Sequence, residues 1–328
     1  MAFLVLTRAE IEQLLPMSAC IEVMAEALAA FQRGDLHQPL RMIYAPPDAT
    51  GVLGWMPAHR SGQHATYGMK IISVIPDNPK RGLDSHQGTV MLMDGQTGEL
   101  RALMNASAIT AIRTAAVSAV ATRLLARKNA RTLALIGTGI QARRHLEALP
   151  LVRSIEHVRV AGRTPESASL FAQRAQPDFP FPIEAVENAE AAVRGADIVV
   201  TATSAQEPVL RRDWLAPGAH INAVGASVRT HREIDTATLA AATLVVDRRE
   251  SVENEAGDYR LAREEGAILS SHIKAELGEL LLGSGIGRTS HEELTLFRSL
   301  GLAVEDVSAA QYLLERASAT GVGTTFAF

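Results

Sequence analysis

RTLALIGTGIQA, residues Arg131 to Ala142, is the stretch that decides the fold of this chain. Leu133–Ile136 is a short apolar run of the kind that forms a buried strand, and the glycines Gly137 and Gly139 follow it directly. A helical pattern then covers Ile140–Leu149. A strand, a tight glycine turn and a helix in this order are typical of a dinucleotide-binding βαβ unit, although an ordinary strand-to-helix turn shares the glycines.

The turn and the first residues of the helix form the predicted phosphate-binding part of this unit. Gly137 allows the tight turn, Gly139 lets the backbone approach a pyrophosphate, and Ala142 keeps the helix close to the strand. The helix N-terminus supplies N–H groups and a positive dipole for the phosphates. The predicted cofactor contacts in this part are Gly137, Thr138, Gly139, Ile140, Gln141 and Ala142.

The residues at the end of the second strand predict that the cofactor is NADP(H), with NAD(H) as the alternative. That strand, His157–Ala161, ends about 20 residues after the glycines, where NAD-preferring proteins hold an acidic residue for the ribose 2′-hydroxyl. Gly162, Arg163 and Thr164 stand there instead. The planar guanidinium of an arginine can bind a 2′-phosphate through two hydrogen bonds, and the threonine hydroxyl can add a third. The alternative is that Arg163 is only a solvated surface residue. The further predicted cofactor contacts are Gly162, Arg163, Thr164, Thr201 and Thr203.

The composition is that of a globular metabolic enzyme. The chain has 328 residues, 47% of them hydrophobic and 21% charged, which allows two domains with cores of their own. A net charge of −4 without a basic run argues against a nucleic-acid partner. The single cysteine, Cys20, excludes intrachain disulfides, and no metal site is expected. We expect no signal peptide, no membrane partner and no apolar run of membrane-spanning length, and therefore a cytoplasmic protein.

The organisation of the chain changes near residue 114. The part before it combines a helical pattern over Ala9–Gln32 with strand-like stretches that look like antiparallel hairpins. A long alanine-rich helix is predicted over Ser107–Arg127, and after it apolar strands alternate with helices. Such alternation predicts a parallel, doubly wound sheet. The segment Val304–Ala319 is helical again. The expected fold class is therefore α/β, with a Rossmann sheet beside an α+β region.

The first region holds charged residues in apolar surroundings. Lys70 lies in the strand-like run YGMKIISVIP, where a charge is costly without a partner, although an outward-facing lysine on an edge strand is the alternative. Arg113 aligns with Val117 and Val120 on an apolar stripe of the long helix, and a buried arginine normally meets an anion. Arg41 precedes a strand and is as readily a surface residue. Together the three suggest a site for a small carboxylate, but spacing cannot show that they converge.

The chain resembles the ornithine cyclodeaminase/mu-crystallin family over nearly its whole length. The segments that carry the resemblance are QPLRMIY, YGMKIISVIPDNP, DSHQGTVMLMDGQTGEL, ITAIRTAAVSAVAT, LIGTGIQA, GAHINAVGAS and LGLAVEDVSAAQ. It implies a homodimer with a discontinuous substrate-binding and dimerisation domain, residues 1–113 plus 305–328. The Rossmann domain, residues 114–304, would hold the nicotinamide over the substrate. By this resemblance Arg41 and Arg113 bind the substrate carboxylate, Lys70 contacts its reacting end, and His86 lies nearby or is only structural.

Ser227 indicates which branch of the family the chain resembles. The cyclodeaminases carry an aspartate two residues after the glycine of the stretch that matches HINAVGAS, and here that position is Ser227. A serine cannot supply a carboxylate base, and it resembles the mu-crystallin branch, whose enzymatic members reduce cyclic ketimines. The predicted catalytic residues are therefore Lys70 and Ser227. The Gly162-Arg163-Thr164 stretch also resembles the NADPH-binding loop of that branch.

Several functions remain open within the resemblance. The first is reduction of a small cyclic 2-imino acid, such as Δ1-pyrroline-2-carboxylate or Δ1-piperideine-2-carboxylate, with NAD(P)H. The second is an amino-acid dehydrogenase like alanine dehydrogenase, and the third is a lyase that converts ornithine to proline. A protein that only binds a small hydrophobic carboxylate is the fourth, and the charged residues of the candidate site disfavour it. The sequence does not decide the substrate or the direction of the reaction.

Overall fold

The fold was analysed in a computed structural model that describes residues 2–62 and 65–327. Within these residues the strands are β1 (Ala2–Leu6), β2 (Leu36–His37), β3 (Met42–Tyr44), β4 (Val52–Arg60), β5 (Thr66–Val74), β6 (His86–Asp94), β7 (Leu100–Asn105), β8 (Thr132–Ile136), β9 (His157–Ala161), β10 (Ile183–Ala185), β11 (Ile198–Thr201), β12 (His220–Ala223), β13 (Thr243–Val246), β14 (Ile273–Glu276), β15 (Thr295–Arg298) and β16 (Thr324–Ala327). The α-helices are α1 (Arg8–Leu14), α2 (Met17–Arg33), α3 (Ala106–Leu125), α4 (Ile140–Ala148), α5 (Pro165–Ala175), α6 (Ala189–Val193), α7 (Thr236–Ala241), α8 (Arg249–Glu255), α9 (Gly257–Glu264), α10 (Leu277–Leu281) and α11 (Ala303–Thr320).

The chain divides into two compact units. The first unit comprises Met1–Arg113 and Gly301–Phe328, and the second comprises Thr114–Leu300. The chain therefore returns to the first unit at Gly301, four residues before position 305, which the resemblance implies. Gly301 is bonded to this unit, because Nη2 of Arg41 donates a hydrogen bond to its carbonyl oxygen over 3.1 Å.

The second unit is built on one eight-stranded sheet with the order β10-β9-β8-β11-β12-β15-β13-β14. All of its strand pairs are parallel. The central strands β11 and β12 are buried along their whole length, which is typical of a parallel sheet with both faces covered. This confirms the predicted Rossmann architecture. The strand order turns back between β8 and β11, and ligands of such sheets bind outside the carboxyl ends of the strands at this point.

The first unit is built on a mostly antiparallel sheet with the order β16-β1-β7-β6-β5-β4-β2, and β3 also pairs with β4. The strands β4 to β7 form the predicted run of antiparallel pairs. Alternate residues of β5, among them Gly68, Lys70 and Ile72, point to a buried face that α11 covers. A side chain at Gly68 would overlap the Val307 side chain of α11. The glycine therefore lets the start of α11 pack directly on β5.

Two parts of the first unit differ from the sequence prediction. The single helix expected over Ala9–Gln32 is two helices, because Leu15 ends α1 and Pro16 is the N-cap of α2. Proline lacks the N–H that would continue the helix, and the axes of α1 and α2 meet at 83°. The strands β1 and β16 were not predicted, and they pair with each other at one side of the sheet.

The expectation that no apolar run reaches membrane-spanning length was wrong for the described residues. The helix α3 is long and apolar enough by the usual test, and the bent pair of α1 and α2 passes it when the two are taken together. In α3, however, 83% of the apolar window is buried inside the protein. Its composition therefore follows from its place as a core helix. Cys20 is buried and free.

Candidate functional site

Lys70 lies at the middle of β5 on the buried face of the first unit's sheet. It stands between Met56 of β4 and Val90 of β6 in the strand register. The residue is 3% exposed, so the alternative of an outward-facing lysine is wrong. Its Nζ lies 2.6 Å from Oδ2 of Asp306, in the first turn of α11. The charge that the sequence placed in an apolar strand therefore has a carboxylate partner.

Arg113 is also buried, and it is held by two acids of α11. Its Nε donates to Oδ1 of Asp306 over 3.0 Å, and its Nη1 donates to Oε2 of Glu305 over 2.7 Å. Both acids are 0% exposed. One carboxylate, that of Asp306, thus bridges the cations of β5 and α3. The sequence predicted that the buried Arg113 meets an anion, and the carboxylates of Glu305 and Asp306 are such anions.

The surroundings of Lys70 change its pKa strongly. Burial lowers the pKa of the ammonium, the Asp306 carboxylate raises it, and the Arg113 guanidinium lowers it again, so that the pKa falls to about 8. Burial alone would raise the pKa of Asp306, but Arg113 and Lys70 outweigh it and lower that pKa. At neutral pH the site therefore holds a lysine that is charged and yet close to releasing its proton.

Arg41 and His86 lie near this cluster in the same unit. Arg41 is half-buried and bonded to the Gly301 carbonyl oxygen, and its charge contributes to the low pKa of Lys70. His86 begins β6 and is exposed in the single chain, and its Nδ1 lies 3.0 Å from Oγ of Ser85. Desolvation of the ring by the surrounding protein, and then the charges of Lys70 and Arg113, lower the pKa of His86 to about 4, so its imidazole is neutral at pH 7. The structure thus brings together the residues predicted for a carboxylate site.

Glu305 and Asp306 are functional candidates that the sequence interpretation missed. Both lie in the segment LGLAVEDVSAAQ, which carried part of the resemblance, and apolar residues surround them there. Two adjacent acids within an apolar helical stretch indicate burial, and buried acids need cationic partners. That signal was available in the sequence, but it does not say which cations they meet. Among the described residues no group of three or more His, Cys, Asp or Glu side chains is placed to hold a metal ion.

The glycine turn of the second unit has the shape that a dinucleotide phosphate needs. Gly137 has φ +121°, and a Cβ there would lie 2.5 Å from the Ala202 carbonyl oxygen, so only glycine fits. Gly139 is the N-cap of α4, no side chain caps this helix, and a Cβ on Gly139 would meet no atom within 4 Å. The first N–H groups of α4 are therefore not capped by a side chain, and the space beside Gly139 is open, as the predicted pyrophosphate site requires. Ala142 in the first turn of α4 is 0% exposed.

The loop after β9 presents the residues predicted for the ribose. Arg163 is exposed. Thr164 is the N-cap of α5, and its Oγ1 accepts a hydrogen bond from the Ser167 N–H over 3.3 Å. Its hydroxyl proton is still able to donate to a phosphate oxygen, because a hydroxyl both accepts and donates. The placement is compatible with the predicted role of both residues.

Thr201 and Thr203 serve a buried acid rather than an open surface. Thr201 is 0% exposed and its Oγ1 donates to Oε2 of Glu233 over 2.8 Å. The N–H and Oγ1 of Thr203 donate to the other carboxylate oxygen over 2.6 and 2.7 Å. Burial raises the pKa of Glu233. The hydroxyl of Thr201 is thus buried and bonded to Glu233, and Thr203 is half-buried. The cofactor contacts of both residues stay predictions.

Ser227 lies in the loop after β12, in the second unit. It is exposed and follows Ala226, whose φ of +54° is in the left-handed region. The Ala226 carbonyl oxygen accepts a hydrogen bond from Nη2 of the buried Arg298 over 2.8 Å. By the resemblance, this is the position at which the cyclodeaminases carry an aspartate. The catalytic role given to Ser227 stays a prediction.

Comparison with known proteins gives matches that extend over both units of the chain. The model of the ornithine cyclodeaminase/mu-crystallin family matches residues 1–321. Delta(1)-pyrroline-2-carboxylate reductase of Bacillus cereus is 42% identical over 328 residues, which cover 99% of this chain and 100% of that protein.

Two solved structures are similar over the same extent. The structure of Thermococcus litoralis Delta(1)-pyrroline-2-carboxylate reductase in complex with NADH and L-proline matches with a TM-score of 0.95 and 39% identity, covering 98% of this chain and 99% of that one. An archaeal alanine dehydrogenase dimer with bound NAD matches with a TM-score of 0.93 and 34% identity, covering 100% of both chains.

Proposed function

The chain belongs to the ornithine cyclodeaminase/mu-crystallin family, and from this premise we propose that it is a nicotinamide-dependent reductase of small 2-imino acids. Its substrates are cyclic imines of the Δ1-pyrroline-2-carboxylate and Δ1-piperideine-2-carboxylate type. The observation that carries the proposal is the buried Lys70, which is charged at neutral pH and has a pKa near the working range of an enzyme. The similarity to the Bacillus cereus reductase over its full length supports the same reaction class.

The residues of the first unit take the following roles in this proposal. Arg41 and Arg113 bind the substrate carboxylate through charge-assisted hydrogen bonds. Nε and Nη1 of Arg113 already donate to Asp306 and Glu305, so this guanidinium contributes its positive charge and the nitrogen outside those two bonds, Nη2. Lys70 donates a proton to the imine nitrogen, since a protonated imine is the better hydride acceptor. A group with a pKa near 8 is a much better acid at pH 7 than a lysine at its usual value. Fixing the substrate by its carboxylate places the imine carbon for hydride transfer.

The second unit holds the cofactor in this proposal. When bound, the reduced nicotinamide supplies the hydride for the imine carbon. The open cradle formed by Gly137, Gly139 and the start of α4 fits the pyrophosphate. We further propose that NADPH is preferred to NADH, since Arg163 is exposed where an acid would otherwise bind the ribose 2′-hydroxyl. Two solved relatives hold NADH and NAD, so this preference is the finer part of the proposal.

An amino-acid dehydrogenase is the second candidate. The archaeal alanine dehydrogenase, at 34% identity over the whole chain, favours it specifically. Such an enzyme would form the imine from pyruvate and ammonia before reducing it. The lyase alternative is disfavoured by Ser227, which cannot replace a carboxylate base.

We also propose that the protein forms a homodimer through the first unit. The sheet face opposite α11 and the strand β3 carry large apolar side chains that are open to solvent in the single chain. These are Met42 (45% exposed), Ile43 (55%), Tyr44 (57%), Leu53 (39%) and Tyr67 (48%). A contiguous exposed apolar face is typical of a protein interface. Sedimentation of the purified protein tests this, and a monomer at micromolar concentration would contradict it.

An absorbance assay of cofactor oxidation tests the proposed reaction. Purified protein is mixed with NADPH or NADH and with a cyclic 2-imino acid, with pyruvate and ammonia, or, with NAD, with ornithine. We expect fast oxidation with the cyclic imine and slower oxidation with pyruvate and ammonia. Because a lyase regenerates its NAD, the ornithine mixture is assayed by ammonia release instead, and we expect none. The Lys70→Met variant is the matched control, because it keeps the side-chain bulk and removes the proton. Oxidation with pyruvate and ammonia alone would favour the dehydrogenase instead.

A further inference from the structure

The proposed function uses Lys70 but leaves the acid beside it without a role. Asp306 is 0% exposed, and its two carboxylate oxygens contact different cations. Oδ2 lies 2.6 Å from Nζ of Lys70, and Oδ1 lies 3.0 Å from Nε of Arg113. A buried carboxylate costs free energy, and one that bridges two groups of a reaction site therefore calls for an explanation.

The fold fixes this carboxylate in place. Asp306 is in the first turn of α11, where the helix dipole stabilises a negative charge. The Val304 N–H of the same turn donates to Oε1 of Gln38 over 2.9 Å, which anchors the helix start. Gly68 lets α11 pack closely on β5, two residues before Lys70 in the chain. The distance between the carboxylate and the ammonium is thus set by the packing of a helix on a strand.

We propose that Asp306 is a positioning residue of the reaction, which holds the Lys70 ammonium in one place and in its charged form for proton delivery to the substrate. This inference rests on the proposed reduction of imino acids. Without a nearby carboxylate, burial and neighbouring cations would leave Lys70 largely neutral at pH 7. A neutral lysine has no proton to give at the start of the cycle.

Several charged and titratable groups lie near Lys70 and Asp306. Those near the cluster are Arg41 before β3, His86 on β6, Arg113 on α3 and Glu305 on α11, with the Cys20 thiol of α2 close to Arg113. Arg113 and Arg41 lower the pKa of Lys70, whereas Asp306 raises it. His86 is neutral at pH 7 because its own pKa is about 4. Asp306 is therefore the group whose removal most directly releases the lysine proton.

The proton-transfer step balances as follows. The imine nitrogen takes a proton from Nζ of Lys70, so that one N–H bond of the ammonium breaks and one forms on the substrate. The imine carbon then accepts the hydride that the cofactor supplies, and the π pair of the C=N bond becomes the lone pair of the amine nitrogen. Lys70 is left neutral and regains a proton from water. Each turnover thus consumes one hydride and one proton.

The chain offers an unusually direct test, because it contains only four lysines: Lys70, Lys80, Lys128 and Lys274. The last three are exposed. Protein labelled with carbon-13 in lysine gives four side-chain Cε signals, and the one missing from Lys70→Met is that of Lys70. Its chemical shift is followed from pH 5 to 11 in wild type, Asp306→Asn and Glu305→Gln, without any turnover.

We expect the wild-type Lys70 signal to titrate near pH 8. In Asp306→Asn the midpoint should fall by about one to two pH units, because an opposite charge this close typically shifts a pKa by about that much. The alkaline limb of the kcat–pH profile should move by the same amount. Glu305→Gln removes an equally buried charge from the same helix turn, but this acid contacts Arg113 rather than Lys70, so its shift should be smaller.

An Asp306→Asn protein in which Lys70 titrates as in wild type would overturn the inference, even if the variant were less stable. If Asp306→Asn does not fold, Asp306→Glu keeps the charge and should keep the midpoint near pH 8. A midpoint that falls in Asp306→Glu would also overturn it. If wild type reduces no imino acid, the proposed function fails, while the Lys70 titration still decides whether Asp306 holds the ammonium.

Discussion

Arg113→Met is expected to destabilise the first unit by about 3–5 kcal/mol, the usual cost of removing one partner from a buried ion pair. Before the structure was known, this arginine was assigned to substrate binding alone. The structure adds a second role, because Arg113 contacts both buried acids of α11. The substitution leaves Glu305 without its 2.7 Å contact to the guanidinium, and it leaves Asp306 with Lys70.

The magnitude follows from the contacts that are lost. Two hydrogen bonds to charged groups are worth about 1.5–3 kcal/mol each, which gives about 3–6 kcal/mol in total. A methionine fills much of the space of the arginine stem, so the contribution of an empty cavity stays small. The two estimates agree, and both exceed what a surface ion pair contributes.

Urea unfolding followed by tryptophan fluorescence measures the effect. The chain has two tryptophans, Trp55 in the first unit and Trp214 in the second. A Trp214→Phe background therefore reports on the unit that contains Arg113. Lys80→Met is the control, because it breaks an exposed pair with Asp77 at 2.6 Å in the same unit and should cost less than about 1 kcal/mol.

A double variant separates the lost pair from the stranded charge. Arg113→Met with Glu305→Gln should recover part of the loss, since removing both partners of a buried pair is often close to neutral. The reasoning would be refuted if Arg113→Met unfolded within about 1 kcal/mol of wild type, the range of a surface pair. It would also be refuted if the double variant were less stable than the single one by the full cost of a second lost contact.

Three further predictions concern the reaction and the cofactor. Lys70→Met should lower kcat by roughly 10²–10⁴-fold while NADPH binding, measured by fluorescence, survives; near-normal turnover would exclude Lys70 as the acid. Wild-type kcat should fall about tenfold per pH unit above pH 8, because Lys70 donates only as the ammonium and loses its proton as pH rises through a pKa of about 8; a flat profile to pH 10 would contradict this. Arg163→Asp should reverse the preference for NADPH over NADH by more than about tenfold in Kd, since a charge-assisted contact of about 1.5–3 kcal/mol is lost and the aspartate repels the 2′-phosphate; equal affinity of wild type for both cofactors would show that Arg163 does not bind the phosphate.

Much of the fold was determined by local sequence patterns. The apolar run Leu133–Ile136, the glycine turn and the helix after it form β8 and α4 as predicted, because strand and helix periodicity and turn chemistry act over a few residues. The same is true of the antiparallel strands β4 to β7. Where a local signal was overlooked, as at Pro16, the predicted helix was wrong although the sequence held the reason. Strands such as β1 and β16 lie at opposite ends of the chain, and their pairing has no local signal.

The candidate site divides in the same way between sequence and structure. Apolar neighbours in the sequence marked Lys70 and Arg113 as charges in costly surroundings, with an outward-facing Lys70 as the alternative. Arg41 was a candidate from its place before a strand, and the resemblance supplied His86. The tertiary structure decided their partners, because the acids that hold Arg113 are 192 and 193 residues away in the chain. It also decided that the Thr201 hydroxyl is turned to Glu233 and away from the surface. The sequence by itself shows which charged residues lie among apolar neighbours and would therefore be costly to bury. Only the tertiary structure shows which groups stabilise them, because burial and hydrogen-bond partners depend on how distant segments pack.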